Sequence, residues 1–93
     1  MRTLKVTVEQ VDGIIDYYTI YVDSDGKAAE TDPPKKLTWE GDIADSNVKI
    51  GVYAGGLGGG KIKITIDPPG DKDKEVYAEI KSGKTRTAHV RTV

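Results

Sequence analysis

The segment Lys61-Ile62-Lys63-Ile64-Thr65-Ile66-Asp67 sets three isoleucines on one side and Lys61, Lys63, Thr65 and Asp67 on the other. That two-residue repeat is the signature of a half-buried antiparallel strand. Leu4, Val6 and Val8 repeat it, as do Leu37, Trp39, Gly41 and Ile43, then Val48, Ile50, Val52 and Ala54, then Val76, Ala78 and Ile80. Ala88 and Val90 mark the inward face of a last strand. No stretch carries the 3.6-residue period of a helix, so the chain reads as all-β.

Turn chemistry punctuates these runs. The phase of the first strand shifts by one at Val11, a bulge signal, and Asp12-Gly13 follows. Both residues tolerate the positive φ of a type I′ turn, so a hairpin is expected there, leading into a strand from Ile14 to Val22. That strand has large apolar groups on both faces: Tyr18, Ile20 and Val22 on one, Ile15, Tyr17 and Tyr21 on the other. It is therefore central, or one of its faces feeds an interface. Asp23-Ser24-Asp25-Gly26 turns the chain again, and Lys27 to Thr31 reads as a short edge strand before Pro33-Pro34, which cannot donate to a ladder. The glycine-rich run from Gly55 to Gly60 leads into the isoleucine strand. Pro68 to Asp73 and Ser82-Gly83 are a loop and a turn.

One domain of 93 residues accommodates two sheets and nothing more. With no Phe and one Trp, the core must come from Val, Ile, Leu, Ala and parts of five Tyr. The spacing of turns predicts an antiparallel β-sandwich of about seven strands, immunoglobulin-like, with a small barrel as the alternative. The expected core is Leu4, Val6, Val8, Ile20, Trp39, Val48, Ile50, Val52, Ile62, Ile64, Ile66, Val76, Ala78, Ile80, Ala88 and Val90.

Fourteen Lys and Arg against fifteen Asp and Glu leave a net charge of −1, without the broad basic field that nucleic-acid binding requires. No apolar run is long enough for a transmembrane helix, and the N-terminus opens into a strand instead of a signal-peptide pattern, so a soluble chain without membrane attachment is expected. Without cysteine there is no disulfide, thiolate metal site or thiol nucleophile, and the compartment stays undetermined.

Gly55-Gly56-Leu57-Gly58-Gly59-Gly60-Lys61 matches the opening of a phosphate-binding loop. Ile62 stands where Ser or Thr would hold magnesium, and a strand follows where a helix is needed, so a flexible connection is the better reading. Asp23, Asp25, Asp42, Asp45, Asp67, Asp71 and Asp73 lie in or beside loops, where oxygen ligands for calcium can gather, but Asp is also a common turn residue. His89, the only imidazole, is placed on the outer face with Thr87 and Arg91, away from any serine partner, and no acid–base dyad is formed by Glu75 and Glu79. The run from Lys81 to Val93 carries Lys81, Lys84, Arg86 and Arg91 without an acid, which suits an anionic partner but reads better as an edge kept soluble by charge.

Three segments carry a resemblance: 17–26, with Tyr17-Tyr18-Thr19-Ile20-Tyr21-Val22 and its Asp-Gly turn; Leu37-Thr38-Trp39; and 58–67, the glycines with the isoleucine strand. In their order they resemble the soluble domain of the MmpS-type small membrane proteins, accessory partners of lipid and siderophore exporters. That family carries an N-terminal membrane helix and usually cysteines; this chain starts in a strand and has neither, which implies an excised or redesigned domain. The chain also resembles engineered β-sandwiches in its lysine-bearing outer faces, Asp-Gly and Ser-Gly turns, lack of Cys and inside–outside pattern. Its proline loops and glycine run fit a redesign of a natural backbone.

The expectation is therefore a non-enzymatic structural or scaffold sandwich of designed or redesigned origin, with no cofactor and no metal. The alternative is an extracytoplasmic accessory module that docks on a transporter or another protein, or on itself, through the strand bearing Ile15, Tyr17 and Tyr21, since Tyr brings large area and a polar tip. A weak calcium-binding sandwich is the third.

Overall fold

Strands that are apolar on one side only must have that side covered, and here two four-stranded antiparallel sheets cover each other. The computed structural model describes residues 1–23, 25–29, 36–56 and 58–93. Its strands are β1 (Arg2–Asp12), β2 (Ile15–Val22), β3 (Asp25–Ala29), β4 (Lys36–Ile43), β5 (Lys49–Gly56), β6 (Lys61–Asp67), β7 (Glu75–Glu79) and β8 (Arg86–Thr92). The first sheet has the order β4-β1-β6-β7 and the second β3-β2-β5-β8. Ser24, Thr31, Pro33, Pro34 and Leu57, which the turn and edge-strand expectations include, lie outside the described residues.

A single buried cluster joins the layers. Leu4, Val6, Val8, Ile62, Ile64 and Ile66 come from the first sheet, and Tyr18, Ile20, Val22, Ile50, Val52 and Ala54 from the second. Registers such as Val6↔Ile66 and Ile20↔Val52 keep like faces together. Trp39, Val76 and Ala78 are only partly buried at its margin. Trp39 sits on an edge strand, where its indole N–H donates to Asp25 Oδ2 at 3.1 Å and so links β4 to the edge strand of the other sheet.

Two connections stay within a sheet, β2 to β3 and β6 to β7; every other step along the chain changes sheet. The turn at Asp12-Gly13, expected as a hairpin, is one of these changes of sheet. Gly13 does take a positive φ of 71° and accepts the Asp12 side chain as a cap, its N–H donating to Oδ1 at 2.8 Å. Yet β1 pairs with β4 and β6 while β2 pairs with β3 and β5, so the turn is a corner between layers. The bulge near Val11 is present, between Gln10 and Asp12, and it brings Asp12 level with Lys61.

That corner explains the glycine-rich run. A β-carbon on Gly13 would lie 2.7 Å from the Gly60 Cα, and one on Gly56 would lie 2.3 Å from the Ile14 carbonyl oxygen. The two crossings pass backbone against backbone at one end of the sandwich, so these glycines serve close approach. Gly56 and Gly60, at the two crossings, are buried, while Gly58 and Gly59 between them are exposed. β5 and β6, which the run joins, lie in different sheets.

The phase of β8 is the opposite of the one expected. Ala88 is exposed and Val90 is 65% exposed, while Arg91 is only 3% exposed and Val93 is buried. The cause is register. The core side of β5 is fixed by Ile50, Val52 and Ala54, which stand opposite Arg91, His89 and Thr87. Val93 then locks the alignment by exchanging two hydrogen bonds with Val48, 2.9 and 2.8 Å long. Ala88 and Val90 leave the expected core, and His89 and Arg91 leave the expected outer face.

Candidate contact face of the second sheet

The outer side of the second sheet is built from the residues that alternate with its core. From β2 come Tyr17, Thr19 and Tyr21; from β5, Gly51, Tyr53 and Gly55; from β8, Arg86, Ala88 and Val90. Each large ring stands near a glycine. Tyr17 is level with Gly55 and Tyr21 with Gly51. A β-carbon on Gly55 would fall 2.0 Å from the Tyr17 ring, and one on Gly51 would fall 2.9 Å from the Tyr53 ring. The glycines are buried because tyrosines cover them. Tyr21 and Tyr53 meet edge to face, centroids 5.9 Å apart at 74°, a favourable geometry for aromatic quadrupoles.

Between Tyr17 and the Tyr21–Tyr53 pair runs a shallow groove of about 210 Å3, with Thr19 and Arg86 completing its lining. A neighbouring depression of about 460 Å3 shares Tyr53 and Arg86 and continues over Thr87 and Ala88. Arg86 makes no ion pair among the described residues. Tyr21 is 49% exposed, and with Val90 it forms the largest apolar exposure on this face.

Of the three contact residues expected from the sequence, Tyr17 and Tyr21 share this face and Ile15 does not. A bulge between Ile15 and Tyr17 shifts the phase, so Ile15 turns into the core and is 6% exposed. Tyr53, Arg86, Ala88 and Val90 are the members that sequence reasoning did not join to it. Glycines two residues before and two residues after Tyr53 were the readable sign of a strand that carries rings over bare backbone.

On the inner side of β8 lies a polar cluster. The Arg91 Nε–H donates to His89 Nε2 at 3.1 Å, and its Nη1 donates to the carbonyls of Pro69 and Asp73 at 3.1 and 2.7 Å. Its Nη2 is buried with no partner among the described residues. Burial lowers the guanidinium pKa, and the Asp73 carboxylate opposes that. The His89 pKa is lowered as well, first by burial and then by Arg91 and Lys72, and its Nε2 is an acceptor, so the ring is neutral. The cluster fastens the loop 68–73 to an edge strand, and an inward charge there discourages pairing with a further strand.

The remaining candidates are dispersed. Lys61 opens β6 with its ammonium 5.1 Å from the Tyr77 ring centroid, and no helix begins after the glycine-rich run. Glu75 is engaged by Lys63 at 3.4 Å, and Glu79 stands level with Lys61. Among the described residues no group of three or more His, Asp or Glu side chains is placed to hold a metal ion. No helix among them is long and apolar enough to cross a membrane. Comparison with family models, with curated proteins and with solved structures finds no match to this chain.

Proposed function

We propose that this chain is a non-enzymatic β-sandwich module that works by surface contact through the outer face of its second sheet. The observation that carries this reading is the grouping of Tyr17, Tyr21, Tyr53, Ala88 and Val90 on that side, with Tyr21 and Val90 about half exposed or more. Tyrosine and exposed aliphatic groups on a rigid sheet supply contact area at small entropy cost. The polar side chains support a non-enzymatic role, because His89 is engaged as an acceptor for Arg91 and lies on the inner side of an edge strand. In the accessory-module version of this reading, with its resemblance to the MmpS-type domains, the same face docks on the exporter.

A second reading is an inert structural scaffold of designed or redesigned origin, immunoglobulin-like in its two-layer architecture. The ladder of matched charges on the other outer face favours it, since such ladders specify a sheet and keep it from associating. Sedimentation velocity over rising concentration separates the two. The contact reading predicts concentration-dependent association that Tyr21→Ser combined with Val90→Thr removes. Sedimentation that does not change with concentration, and is the same for that double variant, removes self-association from the contact reading and favours the scaffold.

A further inference from the structure

The groove beside Arg86 has a chemistry narrower than a general contact surface. Phenol rings line it, Tyr17 at one end and the Tyr21–Tyr53 pair at the other, with Thr19 between them and the Arg86 guanidinium at its border. Arg86 is exposed and makes no ion pair among the described residues, and the only acid in β2, β5 or β8 is Asp16, in the bulge at the start of β2. Tyr17, Tyr53 and Tyr21 stand at successive two-residue levels, about 7 Å apart along the strand direction. This lining complements a linear ligand with ring-like apolar faces, hydroxyl rims and anionic groups.

Main-chain recognition is closed off here. β2 is paired on both sides by β3 and β5, and β5 by β2 and β8, so no polypeptide can add a strand under the groove. A sugar ring needs no main-chain partner. Its C–H face packs on phenol rings, its hydroxyls bond to Tyr and Thr hydroxyls, and a carboxylate on it matches the planar fork of an arginine.

Resting on the contact reading above, we propose that this groove binds a carboxylated saccharide chain, with Tyr17 and the Tyr21–Tyr53 pair as stacking surfaces and Arg86 as the carboxylate partner. The test is calorimetric titration of the full chain with a galacturonic acid oligomer, a neutral galactose oligomer of the same length and a poly-glutamate peptide, with the tyrosine ring resonances followed by NMR. The uronate is expected to bind and shift all three rings, and the neutral oligomer to bind about tenfold more weakly. Arg86→Gln should weaken the uronate by about tenfold or more. Thr19→Glu, which sets a like charge in the groove lining, should do the same, and both variants should keep the melting temperature of the parent. Equal binding of poly-glutamate, or uronate binding unchanged in both variants, overturns the assignment, as does no uronate binding at all. If the uronate fails while concentration-dependent association persists, the saccharide assignment falls and the contact face stands; if both are absent, both fall.

Discussion

The two outer faces of this sandwich are built on the same pleat and solve opposite problems. On the first sheet, Lys5 lies between Glu40 and Asp67, Thr7 between Thr38 and Thr65, and Glu9 between Lys36 and Lys63. Lys63 reaches Glu75 at 3.4 Å, and Lys74 reaches Asp67 at 3.5 Å. The four lysines that line the depression of about 330 Å3 over this face, Lys5, Lys36, Lys63 and Lys74, are balanced by Glu9 and Asp67 in the lining and by Glu40 and Glu75 beside it. The second sheet places Tyr over Gly and leaves Arg86 without an ion pair among the described residues and Val90 exposed. A face that satisfies itself is a shield; one with unspent aromatic area and an unpaired cation is a surface available for contact.

The contrast can be broken first from within. Ile64 lies behind the charged face and Lys63 upon it, so Ile64→Ala should cost about 2–5 kcal/mol in a urea titration while Lys63→Ala stays within about 0.5 kcal/mol. Equal costs would remove the inside–outside assignment on which the shield depends. Next in size is Arg91→Ala, which removes a buried stem and three hydrogen bonds and should cost about 2–4 kcal/mol, against less than about 0.5 for Val90→Thr. If Val90 were the costly position, it would belong to the core and the second face would lose its exposed aliphatic group.

Tyr18 sharpens the comparison with its outward neighbours. Its hydroxyl is buried with no partner among the described residues, and burial, then Glu9, raises its pKa. Tyr18→Phe should therefore be neutral or stabilising by about 1 kcal/mol, whereas Tyr21→Ser on the outer face should lose about 1 kcal/mol through the edge-to-face pair with Tyr53. Thermal melts of both variants check the order. The last effect is one of pH. His89 has a folded pKa below its unfolded value, so the unfolded chain takes up the proton first and stability falls as the pH drops below about 6.5. His89→Gln should flatten that part of the pH–stability curve; a curve still falling there to the same extent would assign the loss to another group.

The isoleucine strand and most of the core are legible in the sequence because the apolar residues of β1 as far as Val8, of β5 and of β6 alternate without interruption, and a period of two admits one interpretation. Two other features are not. An Asp-Gly pair announces positive φ, and a corner between layers needs that as much as a hairpin does; only the pairing of β1 with β6 shows which was built. In β8 the choice lay between Ala88 with Val90 and Thr87, His89 and Arg91. Hydropathy favours the first, while the core pattern of β5 and the anchoring of Val93 on Val48 impose the second. The long aliphatic stem of Arg91 makes the burial tolerable, with two loop carbonyls and a neutral imidazole receiving its N–H groups. The candidate face was half legible for the same reason. Tyr17 and Tyr21 lie within one strand, but Ile15 was turned inward by a bulge, and Val90 joined them only once the register was known.

The contact face exists only if β8 directs Ala88 and Val90 outward, and the absence of cysteine from the sequence makes that directly measurable. Single variants Ala88→Cys, His89→Cys and Val90→Cys would be reacted with a thiol label under native conditions. Fast labelling at 88 and 90, close to the rate of an unstructured thiol, with clear protection at 89, is the expected result. Protection at 88 and 90 with fast labelling at 89 would contradict the account.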